Sequence, residues 1–102
     1  MPQDAVVRTT QKSPTDDAVV VSHAELPEDE REIARTAVEE PFYHACPELP
    51  EALRSFASRF QKINDTYLEY RETTYGVWIR IEDTIRAGTA SAPEENPSCG
   101  FI

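Results

Sequence analysis

The clearest hydrophobic pattern in the chain has a period of two and lies within residues 67–85. Apolar side chains occupy the odd positions Tyr75, Val77, Ile79 and Ile81, whereas the even positions between them hold Gly76, Trp78 and Arg80. Successive side chains of a β-strand point to opposite faces, so the odd set can line a core. The preceding run, 67–71, alternates in the same way, and together the two runs predict a β-hairpin.

The register of this hairpin follows from its apolar positions. A turn centred on Glu72-Thr73 places apolar residues opposite each other on the buried face, and a slip by one residue would expose them. Glu72-Thr73 is not the Asn-Gly type that two-residue hairpin turns prefer, so a longer loop through Thr74 stays open. The facing pairs in the predicted register are Leu68 with Val77, Tyr70 with Tyr75, and Tyr67 with Trp78.

Two segments upstream have the spacing of amphipathic helices. Each opens with the same tetrapeptide, Glu-Leu-Pro-Glu, at 25–28 and again at 48–51. Proline suits the first turn of a helix, and the acidic residues beside it suit the positive helix N-terminus. The pattern predicts helices over about 27–40 and 50–63. Their expected buried stripes are Ile33, Ala34, Ala37 and Val38 in the first, and Leu53, Phe56, Ala57, Phe60 and Ile63 in the second.

The remaining segments set the predicted domain limits. Residues 17–22 include three consecutive valines and indicate a short core strand. Residues 1–16 are polar without a sustained period, which predicts a flexible N-terminal arm, and residues 87–102 predict a flexible C-terminal tail. The chain is therefore expected to form one α+β domain over 17–86 in the order β-α-α-β-β. Two helices would pack on one face of a mainly antiparallel three-stranded sheet.

The charge of the chain limits the classes of molecule that it is expected to bind. There are 19 acidic residues against 10 basic ones, a formal net charge of −9. Such a chain is a poor ligand for nucleic acids or anionic membranes, because both attract cations. The composition fits an ordinary acidic protein and a protein of a salt-rich cytoplasm equally well. No aliphatic run is long enough to span a bilayer, so the predicted compartment is the cytoplasm.

No catalytic, cofactor or metal site is predicted. The soft metal ligands are His23, His44, Cys46 and Cys99, which lack the paired short spacing of structural zinc sites. Two cysteines in a chain without a signal peptide favour free thiols over a disulfide framework. A glycine-rich phosphate loop is also missing from the sequence. The chain is therefore expected to be non-enzymatic.

Three stretches resemble short haloarchaeal proteins of unknown function. They are the helix start Leu26-Pro27-Glu28-Asp29-Glu30, the hairpin segment 70–76 (YRETTYG), and Glu82-Asp83. The resemblance covers about residues 18–86, and the glycine expected in the turn is missing here. It implies a salt-adapted protein and assigns no activity and no site residue.

The outer face of the predicted hairpin is the first candidate for a function. Tyr67 and Trp78 would lie side by side there, close to Arg71 and Arg80. Aromatic and arginine side chains dominate the energetics of protein interfaces. These four residues therefore predict a protein–protein interaction or adaptor module that binds an unknown partner or forms a homodimer. The alternative, that the chain itself covers Trp78 with its N-terminal arm or a third layer, stays open.

A second candidate is a winged-helix-like nucleic-acid-binding regulator. A strand, two helices and a hairpin match that order without its first helix. The helix at 50–63 would be the recognition helix, with Arg54, Arg59 and Lys62 as contacts. The acidic net charge and the long linker between the helices argue against this function.

Overall fold

The computed structural model of the protein describes residues 3–46, 48–61, 66–82 and 84–94. It confirms an α+β fold with two α-helices and a single mixed β-sheet. A short 3-10 helix at His23–Glu25 precedes the first α-helix. The elements in chain order are β1 (Ala5–Gln11), β2 (Val19–Ser22), α1 (Glu28–Glu39), β3 (Tyr43–Ala45), α2 (Glu51–Gln61), β4 (Thr66–Tyr70), β5 (Thr73–Ile81) and β6 (Thr84–Gly88).

Both helices form where the sequence predicts them. Pro27 caps α1 with extended backbone, so the helix begins one residue later at Glu28, and its first turn is acidic. Such a turn complements the positive end of the helix dipole. The buried residues of the two helices are Glu30, Ile33, Ala34 and Ala37 in α1, and Leu53, Phe56, Ala57 and Phe60 in α2. The apolar stripes are thus confirmed, with Val38 only partly buried and Ile63 outside the described residues.

The sheet is larger than predicted. It has six strands in the order β2-β4-β5-β1-β3, and β6 also pairs with β5. The β2–β4 pair is parallel, and the other pairs are antiparallel. The predicted three-stranded, mainly antiparallel sheet in the order β-α-α-β-β therefore contains the right strands β2, β4 and β5 but omits half of the sheet.

Strand β1 is the largest omission, because residues 1–16 were expected to form a flexible arm. It pairs with β5 over all seven of its residues and with β3 on its other side. Only Ala5, Val6 and Val7 are fully buried, while the second half of the strand is polar and more exposed. Because half of β1 is polar, the alternation of apolar and polar residues that marks a strand is not visible in its sequence. The predicted C-terminal tail, residues 87–102, is also not entirely a tail, because its first two residues are the end of β6.

The hairpin of β4 and β5 forms with a register two residues away from the prediction. Leu68 lies opposite Tyr75, and Tyr70 lies opposite Thr73. The turn residues are Arg71 and Glu72, and both have positive φ, 49° and 66°. Positive φ at both central positions is the property of a type I′ turn, whose twist matches that of the flanking strands. Because the shift is an even number of residues, each side chain stays on its predicted face.

The sheet separates two buried regions. On its inner face, Val77 and Ile79 of β5 pack with Leu53, Phe56 and Phe60 of α2 in one core. The outer face carries the even-numbered residues of β5 and lies on the side away from the helices. Val6, Tyr67 and Trp78 are buried but lie outside the helix-side core. The fold therefore buries apolar side chains on both faces of its sheet.

Cys46 is disulfide-bonded, so the predicted free thiol at this position is wrong. The other cysteine of the sequence, Cys99, lies outside the described residues. Neither α-helix in the described ranges is long and apolar enough to cross a membrane.

Candidate interaction surfaces

The predicted aromatic pair is on the outer face but is not available to a partner. Tyr67 is 2% exposed and Trp78 is 5% exposed. The strand neighbours of Trp78 are Arg8 of β1 and Gly88 of β6, so Tyr67 is not its cross-strand partner. Of the two possibilities that the sequence left open for Trp78, the structure shows cover by the chain itself.

Residues 89–94, which we call the C-terminal strap, cross the outer face next to Trp78. At its start, the Thr89 carbonyl lies over Gly76, where an added Cβ would be only 2.2 Å from the carbonyl oxygen. The Lys12 ammonium donates to the same oxygen at 3.1 Å. Further along, the Arg8 guanidinium donates to the Ser91 carbonyl at 2.8 Å. Gly76 is two residues before Trp78 on β5, and Arg8 lies opposite Trp78 on β1, so both contacts hold the strap beside the Trp78 side chain.

The Thr89 side chain fixes the start of the strap. Its buried hydroxyl accepts a hydrogen bond from the Val77 backbone N–H at 2.7 Å and donates to the Thr66 carbonyl at 3.0 Å. The Thr89 backbone N–H also donates to the Val77 carbonyl. A hydroxyl can donate and accept at once, which satisfies the buried backbone where β4 and β6 meet beside β5.

Arg80 belongs to a polar cluster on the outer face. Its two terminal nitrogens donate to the Asp4 carboxylate at 3.2 and 3.1 Å, and the His44 ring nitrogen lies 3.4 Å from the same carboxylate. The hydrogen bonds from Arg80 hold the pKa of Asp4 below its usual value, with a smaller effect from His44. Arg80 therefore ties the residue before β1 to β5, and it is already engaged within the chain.

Arg71 lies apart from the other three residues of the predicted site. It occupies the exposed hairpin turn, and its guanidinium carbon is 5.2 Å from the centre of the Tyr70 ring. The Tyr70 hydroxyl donates to the Glu39 carboxylate at 2.6 Å, and this hydrogen bond raises the pKa of Tyr70. The structure thus brings Tyr67, Trp78 and Arg80 to one covered face and separates Arg71 from them.

Of the three residues predicted to contact nucleic acid, the structure describes two, and one of these is already paired within the chain. Arg54 is exposed on α2, whereas Arg59 donates to the Glu30 carboxylate at 2.5 and 3.1 Å. Lys62 lies outside the described residues. The carboxylate of Glu30 is itself buried, so Arg59 already neutralises an acid at the packed surface between the helices.

In the described part of the chain, three large apolar side chains are exposed: two neighbours on β2 at the edge of the sheet, and Ile85 on β6. Val19 is 47% exposed and Val20 is 44% exposed, both on β2. Within the described residues, β2 has only β4 as a hydrogen-bonded neighbour, so its other edge is open. A groove lined by Val19, Val21, Ser55, Ser58 and Arg59 runs between this edge and α2. We call β2 and this groove the β2 edge.

The sequence indicated β2 correctly but not its position in the sheet. Three consecutive valines predicted a core strand, and Val21 does pack against the helix-side core. Strand β2 lies at the edge because it pairs in parallel with one side of β4, while β5 pairs with the other side of β4. That topology depends on contacts far apart in the chain, and no local pattern shows it.

Scans against protein-family models, curated proteins and solved structures found no match to this chain.

Proposed function

We propose that the protein is a non-enzymatic protein–protein interaction module that binds an extended strand at the β2 edge. The observation that carries this proposal is the exposure of two adjacent valines on a strand with an open edge. A strand added there would pair with the free backbone groups of β2, and its alternate side chains would contact Val19 and the groove beside α2.

The β2 edge replaces the outer hairpin face in this proposal. An interaction at that face needs accessible aromatic side chains, and Tyr67 and Trp78 are almost fully buried. An open edge with apolar side chains is, in contrast, a surface that proteins usually protect with charges, bulges or a covering segment. Within the described residues, β2 carries no charged side chain and its pairing with β4 shows no bulge.

A capped, fluorescent hexapeptide of alternating valine and threonine tests strand addition directly. We expect saturable binding in fluorescence anisotropy, and at least about tenfold weaker binding to Val20→Lys, because a charged edge opposes pairing. The matched control is Ile85→Lys, since Ile85 is 60% exposed on β6, which does not pair with β2. Absence of saturable binding, or equal weakening by both variants, would contradict the proposal.

A further inference from the structure

We infer that the strand bound at the β2 edge is β2 of a second copy of this chain, in an antiparallel pair around a two-fold axis. This inference rests on the proposed function and names its partner. Two copies related by a two-fold axis present the same surface to each other, so the surface must be complementary to itself. The β2 edge has this property in its side chains and in its faces.

The side chains of β2 match best in one register. If Val20 lies opposite its own copy on the axis, Val19 lies opposite the partner's Val21. Every pair among the three valines is then apolar, and cross-strand β-branched pairs stabilise a sheet. A register shifted by one residue would instead place the exposed Val19 opposite the partner's Ser22.

The same symmetry aligns the two faces of the sheet. Residues opposite each other in an antiparallel pair point to the same side, and Val21 packs on the helix side. The helices of both copies would therefore lie on one side of a continuous sheet. The grooves of the two copies would adjoin, which would remove the exposed part of Val19 from water.

Helix α2 is suited to lie beside its own copy across this axis. The two-fold axis makes the two α2 helices antiparallel, and their groove-lining residues Ser55 and Ser58 are small. Small side chains let the two helices approach each other closely, so α2 does not obstruct the pairing of the two β2 strands.

The net charge sets the condition under which the dimer should be measured. Each copy carries a formal charge of −9, and two such copies repel each other at long range. At about 1 M KCl the screening length falls to about 3 Å, which removes this repulsion and leaves the strand contact largely intact. Association should therefore strengthen as KCl rises from dilute buffer to molar concentration.

Cross-linking of Val20→Cys tests the axis at residue level. In 1 M KCl, a short bismaleimide should convert Val20→Cys largely into a covalent dimer, because the two introduced thiols would face each other on the axis. Ile85→Cys is the control for exposure, and the unmodified chain is the control for its own cysteines. We expect at least about fivefold less dimer from both. Equal cross-linking of Val20→Cys and Ile85→Cys would overturn the inference.

The molar mass of the unmodified chain, measured by light scattering across a concentration series, completes the test. We expect a dimer for the unmodified chain and for Ile85→Lys, and a monomer for Val20→Lys. A monomer at every concentration would overturn the second copy as partner, while saturable binding of the valine–threonine peptide would still support strand addition at β2. A monomer that also fails to bind the peptide would contradict both proposals.

Discussion

The outer face of the sheet and the β2 edge both carry apolar side chains, but those of the outer face are buried and those of the β2 edge are exposed. The outer face holds Tyr67 and Trp78, which are buried, and hydrogen bonds from Lys12 and Arg8 hold the backbone of the strap across this face. The β2 edge holds smaller valines and is left open. The comparison shows that residue type alone does not identify a binding surface. The aromatic residues of the outer face are buried within the chain, whereas the smaller valines of β2 are exposed.

The largest expected effect is on the covered face. Replacing Trp78 by Ser should lower the free energy of unfolding by about 3–5 kcal/mol, because it removes a buried aromatic side chain and leaves a cavity. Urea denaturation measures this loss, and light scattering should show unchanged association. A Trp78→Ser protein that unfolds like the parent and has lost association would return the interface to the outer face.

The contact between the strap and β5 gives the next largest effect. Gly76→Ala would force a Cβ against the Thr89 carbonyl, so we expect a loss of about 1–3 kcal/mol in the free energy of unfolding. Gly88→Ala is the matched control, since nothing lies within 4 Å of its added Cβ. The Trp78 fluorescence should also shift to the red in Gly76→Ala as water reaches the indole. If the two variants melt together, the strap does not hold the outer face.

The polar cluster predicts a dependence on pH. Since the pKa of Asp4 is lowered by Arg80, its stabilising contribution is present above the ordinary value of 3.8 and is lost as the pH falls through the folded-state pKa. Asp4→Asn should therefore cost about 1–3 kcal/mol at neutral pH, and the gap to the parent should close in acid. Urea titrations between neutral pH and pH 2 measure the gap. A gap that stays constant would remove the Asp4–Arg80 interaction as its cause.

The smallest expected effect is at the hairpin turn, away from both surfaces. Glu72 has a φ of 66°, which is unfavourable for a residue with a side chain. Glu72→Gly should raise the free energy of unfolding by about 0.5–1 kcal/mol, because glycine adopts this conformation without strain. Thermal melts give the change, and the dimer should be unaffected. A loss of stability would mean that the turn gains more from Glu72 than the strain costs.

Local patterns in the sequence were enough for the helices and for the faces of the hairpin. Phe56 and Phe60 recur at the helical spacing, and their rings pack 4.9 Å apart in the core. Val77 and Ile79 keep the same face in either register because the shift is even. The register itself was wrong, since Arg71 and Glu72 adopt a turn conformation that favours other residues.

Contacts between distant segments explain what the sequence did not show. Thr89 and Ser91 are small polar residues typical of a tail, yet their backbones are held by Lys12 and Arg8, which are far away in the chain. Strand β1 is equally inconspicuous, and its place beside β5 comes from seven paired positions. Because these partners are far apart in the sequence, neither the path of the strap nor the place of β1 in the sheet could be predicted.

The most direct measurement compares Trp78→Ser and Val20→Lys for both the free energy of unfolding and the molar mass in 1 M KCl. Val20 is already partly exposed, so Val20→Lys should change stability by less than about 1 kcal/mol and yield a monomer. Trp78→Ser should lose several times more stability (about 3–5 kcal/mol) and keep the dimer wherever it is folded. The reverse pattern, with a stable monomeric Trp78→Ser and a dimeric Val20→Lys, would contradict the assignment of one surface to the core and the other to a partner.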